Sequence, residues 1–529
     1  MTQGYVSIVL HAHLPFVRHP DRNDYLEERW LHEAITECYL PLISGLERLE
    51  SEGVPFRLTL SLSPTLMAML DDPLLRRRYL QHLEAAVDLA DREVTLTTGR
   101  ADHNVAQYYR HFFRSMYRLY ARHKGDLISA FHRLAKAGYL ELITCAATHG
   151  FLPLYQHQPE AVRAQIHVAA HEFGRRFGHP PRGFWLPECG YFPGVDRYLK
   201  EIGVEYCILD SHAVAHARPS APHGTFSHGW TPGGVAAFGR DQRSSKQVWS
   251  ANEGYPGDGA YREFYRDIAW ERDDEHLGPL AGPNGVKTFT GFKYHRVTGN
   301  HDFKELYDRW GAEQTAIRHA AHFVHERARQ VAGVRGMIPH APPPLVVCPY
   351  DAELFGHWWF EGPYFLEQVA RHAARQRDVW FVTPGDYLDL NRPGQGVLEP
   401  TQSSWGFQGY ADFWVDGANH WMYRHLHGAG RRMTALARRY QQPSDLERRA
   451  LNQAARELLL AQSSDWAFIL RTGTASDYAW RRFHAHAGRF QKLSEGLMQG
   501  RAADEHWLRQ VELADNLFPD LDYQIYSPV

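Results

Sequence analysis

Seven short apolar segments set the strongest limit on what this chain can fold into. They lie at residues 5–10 (YVSIVL), 56–61, 140–145, 183–186, 205–209, 345–348 and 379–382. Of these, Leu345 to Cys348 is continuously apolar and reads as a strand covered on both faces, the kind found in parallel sheets. Helical periodicity lies between several of them. Residues 27–51 repeat apolar positions at helical spacing, and Asp72 followed by Pro73 supplies an N-cap and first-turn pair for another helix. Further helical patterns cover 159–177, 195–202 and 304–331. Alternating strands and helices imply a parallel sheet with helical crossovers. About seven strands spread over some 390 residues favour a barrel over an open sheet. The lack of a G-x-G-x-x-G or Walker A run argues against a doubly wound nucleotide fold.

The chain has 529 residues, enough for two or three domains. The composition shifts around residues 391–402 (NRPGQGVLEPTQ), and beyond it the pattern is helical at 420–439 and 446–470. This divides the chain into a barrel over 1–395, carrying an insertion at about 192–250, and a helical C-terminal domain over 396–529. The stretch 212–261 is long and irregular, as lids and insertions are. In the last helix polar Gln462 shares a face with Leu458, Leu459 and Trp466, with Asp465 beside it, which turns that edge toward a cleft.

A net charge of -3 gives no reason to expect nucleic acid or an anionic membrane as partner. Five scattered cysteines without a C-x-x-C pair suit a reducing cytosol, and no signal peptide or membrane-length apolar run is visible. The 33 histidines form no metal-binding tract. Fifteen tryptophans point to clefts that bind flat apolar faces.

In a parallel barrel the groups just past the strand ends gather on one face. Here these are His11 and His13, then Thr148 and His149, then Glu188, and finally Tyr350, Asp351 and Glu353 before GHWW at 356–359. Pro349 lacks an N–H and should end its strand. Two carboxylates on different strands, ringed by histidine and tryptophan, are the equipment of glycosidic-bond chemistry: one attacks, the other donates a proton. Either acid taken singly reads better as an ion pair or helix cap.

HAHLPF (11–16), ATHGFLPL (147–154), WLPECGY (185–191), YDAELFGHWW (350–359) and SSDWAF (463–468) resemble the ordered motifs of glycoside hydrolase family 57, most closely its 1,4-α-glucan branching enzymes. The resemblance spans nearly the whole chain. It implies a distorted (β/α)7 barrel with a helical C-terminal domain, and a retaining mechanism on an α-1,4-glucan with no cofactor. Glu188 would be the nucleophile and Asp351 the general acid and then base. Transfer to a 6-hydroxyl would make a branch; α-amylase, 4-α-glucanotransferase and an inactive glucan-binding protein are the alternatives on the same scaffold.

The same resemblance assigns substrate contacts to His11, His13 and His149, to Trp30, Trp270, Trp405 and Trp414 as stacking platforms, and to Arg262 and Asp465 as hydroxyl partners. Read from the residues alone, the H-x-H pair also suits zinc, each tryptophan also suits a core, and Arg262 also suits a surface ion pair. Two segments depart from the branching-enzyme pattern. SSWGFQGY (403–410) has Phe407 and Gln408 where an acidic, glycine-rich run is usual, and SHGWTPGG (227–234) lacks a clear loop tyrosine. Both are expected near the acceptor glucan. The protein is expected to be cytosolic, as a monomer or homodimer.

Overall fold

The computed structural model describes residues 3–528 except 24, 251, 252, 300, 302 and 502. The strands are β1 (Gly4–Ala12), β2 (Leu58–Leu62), β3 (Leu140–Cys145), β4 (Gly183–Trp185), β5 (Tyr206–Leu209), β6 (Gly229–Trp230), β7 (Ala236–Gly239), β8 (Leu345–Asp351) and β9 (Val379–Phe381). Seven of them run parallel in the order β7-β5-β4-β3-β2-β1-β8. The edges β7 and β8 come together through one hydrogen bond, from Asp241 N–H to Val347 O at 2.8 Å. The result is a distorted (β/α)7 barrel.

The continuous apolar runs are explained by two cores, one on each side of the sheet. Side chains alternate across a strand. Tyr5, Val9, Ile143, Cys145, Tyr206, Ile208, Phe238, Leu345 and Val347 form one cluster inside the barrel. Their in-between neighbours Val6, Ile8, Leu10, Leu142, Cys207, Val346 and Cys348 pack outward under the helices.

The strand number was anticipated, but the membership was not. The short β9 only lies along the first residues of β1. The seventh barrel strand is β7, inside the 192–250 segment expected to be an insertion. AAFG is short and sits among glycines, so its apolar signal was hidden. The real excursion from the barrel follows it: among the described residues of 253–308 there are short 3-10 turns and one four-residue helix, Asp274–Leu277. The antiparallel β6–β7 hairpin turns at the N-terminal ends of the strands. The 227–234 segment is therefore on the face opposite the strand C-termini, which corrects its expected place beside the acceptor.

Pro349 does not stop β8, because it pairs in register with Val9 and the strand continues to Asp351. Val347 sends its carbonyl toward β7, and by the two-residue period Pro349 turns its missing donor to that same sparsely bonded edge. The first helical region is one run whose middle, Ala34–Tyr39, is π-helical. Asp72 caps the helix Pro73–Leu96 through the N–H groups of Leu74 and Leu75.

Past residue 420 the chain is helical: Trp421–Arg439, Asp445–Ala461, Ser464–Thr472, Ser476–Met498 and Glu505–Ala514. The expected 446–470 helix breaks at Gln462 and Ser463. That break docks on the loop after β3. Ser464 N–H donates to His149 O at 3.0 Å, and Gln165 Nε2 donates to Gln462 Oε1 at 3.1 Å. The polar residue on the apolar face is thus a buried amide with a partner.

Candidate active site

The mouth of the barrel follows from strand parity. Counting by twos from inward-facing Val9 and Val347 reaches His11 and Asp351, which are register partners, and Ser61 lies opposite His11 on β2. Trp185 at the end of β4 also faces in and stacks on His11 with centroids 4.6 Å apart and planes at 3°. Glu188 follows β4 in a turn where it and Cys189 both take left-handed backbone, at φ 61° and 51°; His149 does so too, at φ 56°. Such conformations cost of order 1 kcal/mol or more each, and they cluster at functional sites.

Both oxygens of Glu188 are held. Trp405 Nε1–H donates to Oε2 at 2.7 Å, and Ser464 Oγ lies 3.0 Å from Oε1. His149 Nδ1 is 2.8 Å from the same Ser464 hydroxyl. His149 Nε2 meets His11 Nε2 at 2.9 Å, and His11 Nδ1 meets Ser61 Oγ at 3.0 Å. An ionised carboxylate only accepts, which gives this chain a direction. Ser61 O–H donates to His11, His11 to His149, His149 Nδ1–H to Ser464, and Ser464 to Glu188. Every link works with neutral imidazoles, and burial holds both His11 and His149 well below the usual histidine range.

Asp351 is different. Its carboxyl makes no hydrogen bond among the described residues; burial, together with the charge of Glu353, pushes its pKa well up, against a weaker pull from Arg240. Arg240 itself is paired with Asp210 at 3.2 Å. Burial also pushes Glu188 up to about 8, with Trp405 pulling down and the charges of Asp351 and Asp465 pushing up. Both acids are thus held above the usual carboxylate range, and they differ in that, among the described residues, only Glu188 has hydrogen-bond donors to stabilise its charge. The donors on Glu188 favour its charged form, and Asp351 has none to offset its burial. Asp465, despite a burial cost, is brought down to about 2 by His13. His13 Nε2 lies 3.1 Å from its Oδ2.

Of the residues singled out in the sequence, Glu188, Asp351, His11, His13, His149, Trp405 and Asp465 meet in this mouth. The three histidines have both ring nitrogens engaged by protein groups, His13 with Ser63 as well as Asp465. They orient carboxylates rather than offer free nitrogens to sugar hydroxyls. Trp405 is half-buried and serves as a donor to Glu188. Trp30 is half-buried, edge-on to Tyr478, and Trp270 is exposed on the 253–308 excursion.

Two expectations need correction. Trp414 is 1% exposed and stacked on Phe151 at 4.9 Å, so it has no free face for a sugar. Arg262 is buried under the Phe360 ring and bonded to Glu37 at 2.8 Å, which ties the excursion to the barrel. Sequence reasoning missed the role of Ser464, although it lies inside SSDWAF. It also missed Glu353, whose Oε1 accepts from His13 N–H and from the Tyr39 hydroxyl.

His13, His149 and Asp465, and separately His11, Cys145 and His149, lie close enough to be weighed as metal ligands. The His13 and His149 rings stack at 3.9 Å with planes 11° apart, so their lone pairs run side by side instead of converging. His11 and His149 are hydrogen-bonded head to head. As they stand, neither set encloses an ion. The third cluster, Glu457, His486 and Asp515, is an ion-pair network closed by Arg482 and Arg489.

The sequence model of glycosyl hydrolase family 57 matches residues 7–398. The chain belongs to this family. A second model, that of the 1,4-alpha-glucan branching enzyme C-terminal region, matches residues 425–526 of this family 57 protein. It is 33% identical to the 1,4-alpha-glucan branching enzyme of Thermococcus kodakarensis over 98% of this chain and 77% of that one. It is 30% identical to a probable 1,4-alpha-glucan branching enzyme of Mycobacterium tuberculosis, over 98% and 97% of the two chains. Among solved structures it superposes on the alpha-amylase AmyC of Thermotoga maritima with TM-score 0.93 and 42% identity, covering 99% of both. The GH57-type branching enzyme of Pyrococcus horikoshii gives TM-score 0.89 and 32% identity, covering 100% of this chain and 97% of that one.

Proposed function

We propose that this family 57 protein is a retaining 1,4-α-glucan branching enzyme. Glu188 attacks the anomeric carbon of the bound glucan while Asp351 gives its proton to the departing glycosidic oxygen, leaving a glycosyl ester on Glu188. Asp351, now a carboxylate, takes the proton from the 6-hydroxyl of an acceptor chain. O6 then attacks C1, the ester bond breaks, and an α-1,6 branch is formed. The stereochemistry is retained through two inversions.

The observation that carries the choice of branching over simple hydrolysis is the match of residues 425–526 to the branching-enzyme C-terminal region, since that region meets the barrel at Ser463 and Ser464 beside Glu188. Residues 1–395 form the catalytic unit in this reading, and 396–529 complete its cleft with Trp405, Ser464 and Asp465. Substrates are amylose-like and glycogen-like α-glucans, and the role is in building glycogen. Five free, buried cysteines fit a cytosolic setting, and among the described residues no helix is long and apolar enough to cross a membrane.

The 42% identity to a structure called an alpha-amylase supports one second reading, hydrolysis on the same acid pair. Products separate them. Amylose incubated with the enzyme gains α-1,6 anomeric proton signals in NMR if the enzyme branches. Reducing ends rising without new α-1,6 signals would assign it to hydrolysis.

A further inference from the structure

The turn after Asp351 carries an exposed indole that the catalytic arrangement does not use. Trp358 is 52% exposed and stacks on Phe264, centroids 4.4 Å apart with planes at 23°. Lys293 supports Phe264 from beneath: its ammonium lies 4.0 Å from that ring's centroid and 4.1 Å from that of Phe289. A cation under a ring face is held by the ring's quadrupole, so the platform is anchored rather than loose. The Lys293 ammonium makes no hydrogen bond or ion pair among the described residues, which is uncommon for a residue only 1% exposed.

Three carboxylates surround this row. Two are saturated: Glu37 takes Arg262 and His357, and Asp267 takes the hydroxyl of Thr290. The third, Glu33, accepts no hydrogen bond among the described residues; the nearest basic nitrogen paired with it is His357 Nε2 at 3.8 Å. Its side chain is 18% exposed, so part of the carboxylate is open to solvent. A mostly buried carboxylate with unused acceptors, one histidine away from an open indole face, has the two surfaces that a pyranose ring presents in reverse. The sugar's C–H face covers the indole and its edge hydroxyls donate to the carboxylate.

The platform belongs to the same mouth as the acids. Trp358 N–H donates to Glu353 O at 3.3 Å, and the Glu353 side chain in turn holds His13 N–H at 3.2 Å. Gly356 makes the turn possible. It sits at φ 122°, and a Cβ there would meet Glu37 O at 1.9 Å, so the turn lies flat on the π-helical segment that carries Glu37. His357 links Glu33 and Trp358: its ring lies 5.3 Å from that of Trp358, and its Nε2 lies 3.8 Å from the Glu33 carboxylate.

We infer that Trp358 and Glu33 form an outer glucan subsite, binding a sugar unit of an α-1,4-glucan chain that runs on from the Glu188–Asp351 centre. The subsite rests on the reading of α-glucan as substrate. It gives long chains a hold that short ones lack, and it acts on binding rather than on the chemical step.

The test uses the full-length enzyme and amylose. Trp358→Ala and Glu33→Gln are compared with wild type by affinity electrophoresis in amylose gels and by steady-state kinetics, with Trp358→Phe as the conservative partner. The expected result is amylose binding weakened roughly five- to tenfold in Trp358→Ala, as loss of one aromatic stacking partner implies. KM rises by the same factor, kcat stays within about twofold, and Trp358→Phe recovers most of the affinity. If wild type is retarded by amylose and Trp358→Ala is retarded equally, the subsite is wrong while the glucan reading stands. If wild type neither binds nor turns over amylose, the glucan reading falls and takes the subsite with it.

Discussion

Trp405 bonds Glu188 twice: its indole N–H donates to Oε2 at 2.7 Å and its backbone N–H donates to the carbonyl at 2.8 Å. The residue meant to attack is thus fixed in main chain and side chain by a tryptophan from beyond the barrel. The indole donor also favours charge on Glu188, as the proposed division of roles with Asp351 requires.

Replacing Trp405 with Phe keeps the ring and removes the donor. A hydrogen bond to a charged group is worth about 1.5–3 kcal/mol. The expected loss in kcat/KM is therefore about 10- to 100-fold. The acidic limb of the pH profile should move to higher pH, because Glu188 becomes harder to ionise. An unchanged limb would mean that Trp405 serves only as a surface.

The directed chain from Ser61 to Glu188 makes a second prediction. Ser464→Ala removes the donor to Oε1 and strands the His149 Nδ1–H. The acidic limb should again move up, and Ser464→Thr, which keeps the hydroxyl, should restore it. Nitrogen-15 NMR of His149 should show a neutral ring protonated at Nδ1 across the active range. A ring protonated at Nε2 would reverse the chain.

How much of this was legible beforehand depended on how local each signal was. The strand carrying Asp351 announces itself as LVVC, and the parity that aims His11 and Asp351 into one mouth follows from counting along two strands. Trp405 and Asp465 came from motif resemblance, but not the bond that Trp405 makes, since no local pattern links it to residue 188. Strand β7 was hidden because AAFG has little bulk to mark it. Trp414 and Arg262 were misplaced for one reason: sequence shows that a residue can bind a sugar face or hydroxyl, not whether Phe151 or Glu37 already occupies it.

That difference is measurable. Trp414→Ala should behave as a core deletion, with stability falling by about 3–5 kcal/mol and KM for amylose holding in the fraction that remains folded. Arg262→Ala leaves Glu37 buried with a missing partner and should cost about 3–5 kcal/mol. Thermal unfolding read beside KM separates both from true substrate contacts.

Glu353 adds a pH dependence of stability. Burial raises its pKa from 4.5 to about 7, so the folded state holds its proton more tightly than the unfolded chain does. That contribution is fully present below about pH 4.5 and is lost as pH rises through about 7. Wild type should melt lower at pH 8 than at pH 5. Glu353→Gln, which stays neutral and still accepts from Tyr39, should flatten the slope. An equal slope in the variant would assign the effect to other groups.

The central claim is that Glu188 forms the bond to sugar. It is tested by trapping the glycosyl-enzyme with a 5-fluoro-α-glucosyl fluoride, whose ester is slow to break down, and mapping the adduct by peptide mass spectrometry. The account expects one added hexose-derived mass on the peptide containing Glu188, and none on Glu188→Gln. An adduct on Asp351 or Asp465, or labelling that persists in Glu188→Gln, would contradict it.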